Sequence, residues 1–438
     1  MIKYISAICV TVLTSLFLFP IELKAFSGMN SKKFLAVVGV VWFLTNLGKN
    51  RTGRFSKDMI VLSLLAASVS LAGLIAVTYN DTPDYAYVTY ITSMWVWLGA
   101  AYVVVHSIRL VHGSASIWLA GNYFIAVCII QCIMALWIDS SVELKQAIDA
   151  VIEQGQDFLN SYKVERLYGI GASLDVAGSR FAAALVLLAF FQISMENTCF
   201  RSLRFIYLLA FVFIAIVGNM IARTTTVGLL LALGYLFYKS DIWRLKLSAE
   251  SRKLWLYLGG VLLITTPLCF YLYQQDAIFR SNLRFAFEGF FSLIEKGEWQ
   301  VSSNEKLQNM YVFPDNVKSW LIGDGYFSNP YNIDPYFTGR FIGGYYMGTD
   351  VGYLRFIFYS GLVGLAAITA VLWKACLICR SRFNTEKELF VLFLLVNLLV
   401  WFKVSTDIFL IFALFLMVNQ DENDAYNRKI SIANENTL

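Results

Sequence analysis

The sequence predicts an all-α, polytopic integral membrane protein with about 12 transmembrane helices (roughly 10 to 14). Three observations carry this. Of 438 residues, 58% are hydrophobic and only 15% are charged, whereas a soluble domain averages about 45–50% apolar and about 25% charged. The mean hydropathy is +0.61. A bilayer-spanning helix needs about 20 apolar residues, so twelve would take about 240, close to the hydrophobic total. These figures exclude a soluble globular enzyme, a coiled coil and a disordered chain. They also exclude a β-barrel, whose alternating strands would dilute the apolar fraction.

Apolar segments fall at about 4–20, 34–48, 59–79, 88–108, 115–138, 180–195, 203–222, 225–238, 254–274, 350–373, 388–402 and 405–419. Those at 34–48 and 225–238 are short for a span. The first begins Met1-Ile-Lys3 and runs to Phe19 like a signal peptide. Its candidate cleavage region, Leu23-Lys24-Ala25, lacks the small-x-small pattern, so a retained first helix is expected. No internal repeat is visible, which leaves the pseudo-symmetry common in transporters unsupported. The whole chain, 1–438, reads as a single membrane domain. Its orientation follows from Lys and Arg. Nineteen lie at the termini and the even-numbered connections, among them Arg51, Arg54, Arg201, Arg244 and Arg382. The short loops opposite hold five: Lys24, Lys32, Lys33, Arg223 and Lys403. Both termini, including the tail 420–438, are therefore expected in the cytoplasm.

The net charge of +5 reflects this cytoplasmic excess, and no nucleic-acid partner is expected. The seven cysteines lie in or beside apolar runs, so no disulfide framework is expected. Cys376-x-x-Cys379 has no second pair or histidine near it and reads as two helix-end thiols. With two histidines in all, no metal site is expected. His106 and His112 share a cytoplasmic helix end. Chemistry on the outer face must then use a carboxylate, a tyrosine or a substrate phosphate as base.

Two long loops fall on that outer face, 139–179 and 276–349, and structureless loops of such length are uncommon unless functional. The first carries Val142, Leu144, Ile148, Val151, Ile152, Phe158 and Leu159 at helical spacing, the pattern of an amphipathic helix lying on the membrane surface. The second opens with Arg280, Arg284 and Glu288 at i, i+4 and i+8, one face of a helix. Aromatics make up 17 of its 74 residues, 23% against 16% overall. Aromatic faces pack on apolar ligand faces while their polar tips bond, which suits sugar rings. Trp320, Tyr326, Tyr345 and the nearby Tyr353 are the candidates for glycan binding. A loop folded back on the membrane, with Trp and Tyr at the interface, fits the same composition.

Arg166, Arg180, Arg223, Arg280, Arg284 and Arg340 map to outer loops or helix ends, where the positive-inside rule disfavours cations. A guanidinium presents a rigid fork of donors suited to phosphate oxygens. A membrane enzyme acting on a lipid diphosphate needs such a clamp for its leaving group. Pairing with Glu165, Asp175, Asp276 and Glu288 is the structural alternative. Arg223 stands between two strongly apolar runs, where a charge faces a cavity or a partner. Thr224, Thr225 and Thr226 follow it and are candidates to cap the next helix or to bind oxyanions. The segment from Arg166 to Arg180 brackets Asp175 with glycines and offers both a clamp and an acid or base. Asp350 stands at the mouth of an apolar helix, either as its N-cap or as the general base for a sugar hydroxyl.

Four features, taken in order along the chain, resemble the O-antigen polymerase and ligase superfamily, and within it the Wzy-type polymerases of oligosaccharide repeat units. They are the Arg166–Gly178 loop-to-helix segment, the Arg223-Thr-Thr-Thr helix break, the Gly323-Asp-Gly325 turn, and Asp350-Val-Gly-Tyr-Leu followed by Gly361-Leu-Val-Gly364. The resemblance implies a glycosyltransferase of the C type in the bacterial inner membrane, with its active site facing the periplasm. Such an enzyme moves a growing glycan from undecaprenyl diphosphate onto the next lipid-linked repeat unit. Donor and acceptor are then undecaprenyl-diphosphate-linked oligosaccharides, with membrane lipid and a chain-length regulator protein as further partners. No nucleotide sugar, metal or other cofactor is implied. The resemblance assigns the diphosphates to Arg166, Arg180, Arg223, Arg280 and Arg284, and chemistry to Asp350, Arg223 and Asp175. Ligases of the superfamily place a histidine in the large periplasmic loop. This chain has none there and holds Asp350 at about the comparable place, which favours the polymerase. The alternatives are a ligase, a transporter of lipid-linked sugars with charges near the bilayer midplane, and a scaffold with no need of the arginines.

Overall fold

The computed structural model describes residues 2–26, 28–49, 56–153, 166–244, 248–334 and 344–435. It is 79% helical with almost no sheet. The helices named below are α1 (Ile2–Leu18), α2 (Ser31–Lys49), α3 (Lys57–Asn80), α4 (Tyr90–His112), α5 (Ile117–Ser140), α6 (Val142–Val151), α7 (Leu174–Ser194), α8 (Arg204–Ile221), α9 (Thr225–Lys239), α10 (Ala249–Gln275), α11 (Ala277–Ala286) and α12 (Glu288–Lys296). They continue with α13 (Ser302–Gln308), α14 (Val317–Leu321), α15 (Pro330–Ile333), α16 (Gly352–Arg382), α17 (Lys387–Val400), α18 (Phe409–Leu416) and α19 (Gln420–Glu435). Among the described residues, seven segments are helices long and apolar enough to cross a membrane: α3, α4, α5, α7, Cys199–Ile221, α10 and α16.

Each apolar segment of the sequence carries a helix, but the last is cut short. Helix occupies only the eight residues of α18, about 12 Å of rise against a hydrocarbon core of about 30 Å. Upstream of it, Trp401 Nε1 donates to Thr406 O (3.1 Å) and the Ile408 amide donates to Asn397 Oδ1 (2.9 Å). These bonds hold the chain out of the helical ladder.

The chain forms two compact units. The first comprises Met1–Leu35, Ala100–Phe291 and Met417–Leu438. Its centre is α7, in which every residue from Ala177 to Gln192 is buried, as expected of a helix apolar on all sides. α8 and α9 pack on it. Gly228 of α9 lies so close to α7 that an added Cβ would stand 2.2 Å from the Ala182 Cα and carbonyl oxygen. Small residues at such crossings let membrane helices approach backbone to backbone. In the first long loop, Ser141 caps α6 by accepting from the Leu144 amide (3.3 Å). The amphipathic stretch read to Leu159 ends earlier as helix. Ile152–Glu153 instead forms a short antiparallel pair with Glu22–Leu23, and Phe158 and Leu159 lie outside the described residues.

Gln420–Glu435 of the tail is a helix. Glu422 of α19 pairs with Arg109 Nε (2.8 Å) and accepts the Ala115 amide (2.9 Å), and the fully buried Asn423 accepts the Ile117 amide (2.9 Å) at the start of α5.

The second unit comprises Ala36–Gly99 and Ser292–Leu416. α16 packs on α3, α14, α17 and α18. Its path is broken at Ser360 (φ −138°, ψ 17°) and Gly361 (φ 68°, ψ −172°). The Phe358 and Tyr359 carbonyls at the break accept the Asp324 and Gly325 amides (2.6 and 3.1 Å). Buried backbone acceptors need partners, and here a loop turn supplies them.

Candidate anion-binding site and carboxylate cluster

In the first unit Arg166 and Arg223 stand over one phenyl ring. Their guanidinium carbons lie 4.9 and 4.1 Å from the centroid of Phe285. Phe285 comes from α11, Arg166 from the non-helical chain before α7, and Arg223 from the break between α8 and α9. That break is set by Ala222, whose extended backbone (φ −153°, ψ 123°) ends α8. Thr225 Oγ1 donates to Gly218 O (3.0 Å), Thr226 Oγ1 to Asn219 Oδ1 (2.6 Å) and Thr224 Oγ1 to Asp175. A hydroxyl has one proton to give, so these three do not serve as oxyanion donors. Nor do they cap α9, since Thr224 at its N-cap makes no side-chain cap bond. They lock the break that presents Arg223.

Arg223 donates from Nε to the Phe285 carbonyl (2.8 Å) and pairs through Nη2 with Glu288 Oε2 (2.6 Å). The Arg166 Nε is buried without a hydrogen-bond partner. Burial pulls both guanidiniums below their ordinary pKa; Asp175 opposes this at Arg166, while at Arg223 Glu288 opposes it and Arg166 adds to it. Arginine does not lose its proton in proteins. Two desolvated cations beside one ring are therefore stabilised by anions rather than by deprotonation.

The other arginines of the predicted set divide. Arg180, 4% exposed, lies in α7, donates to Val176 O (2.8 Å) and stands 5.5 Å from the centroid of Phe19. Arg280 turns back onto α10, donating from Nε to Tyr273 O (2.7 Å) and from Nη2 to Gln274 O (2.8 Å). This is the role of a cation at a helix C-terminus. Arg280→Ala is expected to lower thermal stability by about 1 kcal/mol, as a melt would show. Arg284 donates to Tyr273 Oη (3.1 Å) and lies over Phe291. The single helical face expected for Arg280, Arg284 and Glu288 is interrupted, because Phe287 (φ −118°, ψ 31°) ends α11. Glu288 opens a new helix and reaches Arg223. Arg340 lies outside the described residues.

The second unit holds a separate cluster around Arg355, which is 8% exposed. It donates to Ser405 Oγ (2.6 Å) and Phe327 O (2.9 Å), and lies 3.8 Å over the Phe327 ring and 4.5 Å over that of Tyr345. Asp350 Oδ1 is 3.8 Å from its Nη1. Asp350 is not the N-cap of α16: that position is Val351, without a side-chain cap. Asp324 accepts from Lys318 Nζ (2.8 Å), Ser319 Oγ and Tyr346 Oη (3.3 Å). Tyr326 stacks on Tyr346 (centroids 5.4 Å apart) and donates to Asp334 (3.4 Å). Burial and the adjacent carboxylates push both phenols up, and each hydroxyl donates to a carboxylate. Trp320 and Tyr353 donate their polar tips to the Pro314 and Leu398 carbonyls (3.0 and 2.8 Å), which ties them to the fold.

Sequence reasoning missed Asp84. It is 4% exposed and accepts the amides of Phe327 (2.8 Å), Ser328 (3.0 Å) and Ala86 (3.1 Å). The polar knot Asn80-Asp-Thr-Pro-Asp84 between two apolar runs was the available signal.

Fold and sites together define an all-α protein with membrane-length helices and two arginine–aromatic clusters, one in each unit, half-buried in the first and buried around Arg355 in the second. The chain matches no family model, no curated protein and no solved structure.

Proposed function

We propose that the chain is a glycosyltransferase that polymerises undecaprenyl-diphosphate-linked oligosaccharide repeat units into surface polysaccharide, at the periplasmic face of the bacterial inner membrane. The observation that carries this is the Arg166–Arg223 pair on Phe285. Two forked cations in a desolvated setting suit the two phosphates of a lipid diphosphate. In the reaction, a hydroxyl oxygen of the acceptor glycan attacks the anomeric carbon of the donor. The bond from that carbon to the diphosphate oxygen breaks, and the lipid diphosphate leaves with the electron pair. The hydroxyl proton passes to a carboxylate. Donors aimed at the charge developing on the leaving group stabilise the transition state. Twelve-odd crossings with both termini cytoplasmic belong to the same proposal and find support in the distribution of Lys and Arg.

Deletion and complementation test this. Loss of the gene is expected to leave surface glycan capped at a single repeat, and the intact gene to restore the ladder. Loss of all attached glycan would point to the ligase reaction, with the same clamp and a different acceptor. An unchanged ladder in the deletion strain would refute the proposal.

A further inference from the structure

Arg223 already holds an anion, and that anion belongs to the chain. Its Nη2 sits 2.6 Å from Glu288 Oε2, so the fork that a diphosphate needs is engaged by a carboxylate. The partners differ in exposure: the Arg223 side chain is 13% exposed and that of Glu288 33%. Glu288 is therefore the partner that returns to water at lower cost, while Arg223 stays fixed by the Phe285 carbonyl and ring. Glu288 is the first residue of α12, directly after the break at Phe287. A change of backbone angle at one residue there moves the carboxylate without unwinding either helix. Arg166, over the same ring, holds a second positive charge against which a ligand more highly charged than one carboxylate is favoured.

We infer that Glu288 is an internal competitor, a latch that closes the arginine pair until a diphosphate displaces it. This rests on the reading of Arg166 and Arg223 as the diphosphate clamp and adds regulation of that site. A doubly charged diphosphate outcompetes one carboxylate, whereas a stray carboxylic acid gains little over Glu288. The latch thus lowers the affinity of every ligand of the pair by the same factor, so that only a ligand held strongly by both arginines opens it. The apparent affinity is reduced by the fraction of molecules in which the site is open, so removing the latch tightens binding without creating a new contact.

The test uses full-length protein in lipid nanodiscs and inorganic pyrophosphate as the probe, titrated by calorimetry. Wild type is expected to bind, Arg223→Ala to lose binding, and Glu288→Gln to bind about tenfold more tightly, as for a site closed about nine-tenths of the time. Glu288→Ala is expected to match Glu288→Gln, which guards against one variant failing to fold. If wild type binds and both Glu288 variants bind equally or more weakly, the latch is refuted and the clamp stands. If neither wild type nor the Glu288 variants bind pyrophosphate, the clamp is refuted and the latch with it.

Discussion

Arg223→Ala is expected to stop chain extension while the protein still accumulates in the membrane. Removing one charged donor from a developing anion typically lowers a rate by about 10²–10³-fold, enough to collapse a ladder to single repeats. The structural cost is of similar size but stays within a total stability of about 5–15 kcal/mol. The substitution loses a stacking contact with Phe285 worth about 0.5–2 kcal/mol and a charge-assisted bond of about 1.5–3 kcal/mol, and leaves Glu288, one-third exposed, able to turn to water. Arg223→Lys keeps the charge but not the fork and is expected to recover only part of the activity. A wild-type ladder from the alanine variant at normal abundance would remove Arg223 from the reaction.

Gly361→Val is expected to act on folding instead. Gly361 lies at φ 68° and ψ −172°, a region open essentially to glycine alone, and other residues there cost about 1–3 kcal/mol. An added Cβ would also stand 2.1 Å from the Leu321 carbonyl oxygen. The segment it would push away is the one whose Asp324 and Gly325 amides satisfy the break in α16. Against a total stability of about 5–15 kcal/mol, strain, clash and orphaned carbonyls together leave little folded protein. Size-exclusion and melting profiles in detergent check this. Gly259→Ala in α10 is the control, because nothing lies within 4 Å of a Cβ there; it is expected to fold at least as well as wild type. A wild-type melt for Gly361→Val would show that the break in α16 tolerates a side chain.

These two residues also show what a sequence reveals and what it hides. Arg223 stands out in the sequence, because a cation between two apolar runs faces a cavity or a partner, and the structure gives it a partner in Glu288. That partner does not stand out. Periodicity placed Glu288 on a helical face with Arg280 and Arg284, and a pattern of i+4 spacings does not register the one-residue change at Phe287 that redirects the carboxylate. Gly361 was read as part of an apolar run. Hydropathy sees composition, so a reversal of φ inside a continuous apolar stretch leaves no trace in it. The twelve apolar runs gave a helix each, yet α18 is short because Asn397 and Trp401 draw the preceding chain into local bonds. Arg280 was indistinguishable in sequence from a phosphate ligand. Its actual partners are main-chain carbonyls, present at the end of every helix.

The central claim is that this chain breaks a glycosyl–diphosphate bond to lengthen a glycan. Purified protein in proteoliposomes, supplied only with a lipid-diphosphate-linked repeat unit, tests it most directly. The expected result is a series of longer lipid-linked oligomers, with one lipid diphosphate released for each bond formed and no nucleotide sugar required. Recovery of the repeat unit intact, or its movement across the bilayer without any new bond, would contradict it.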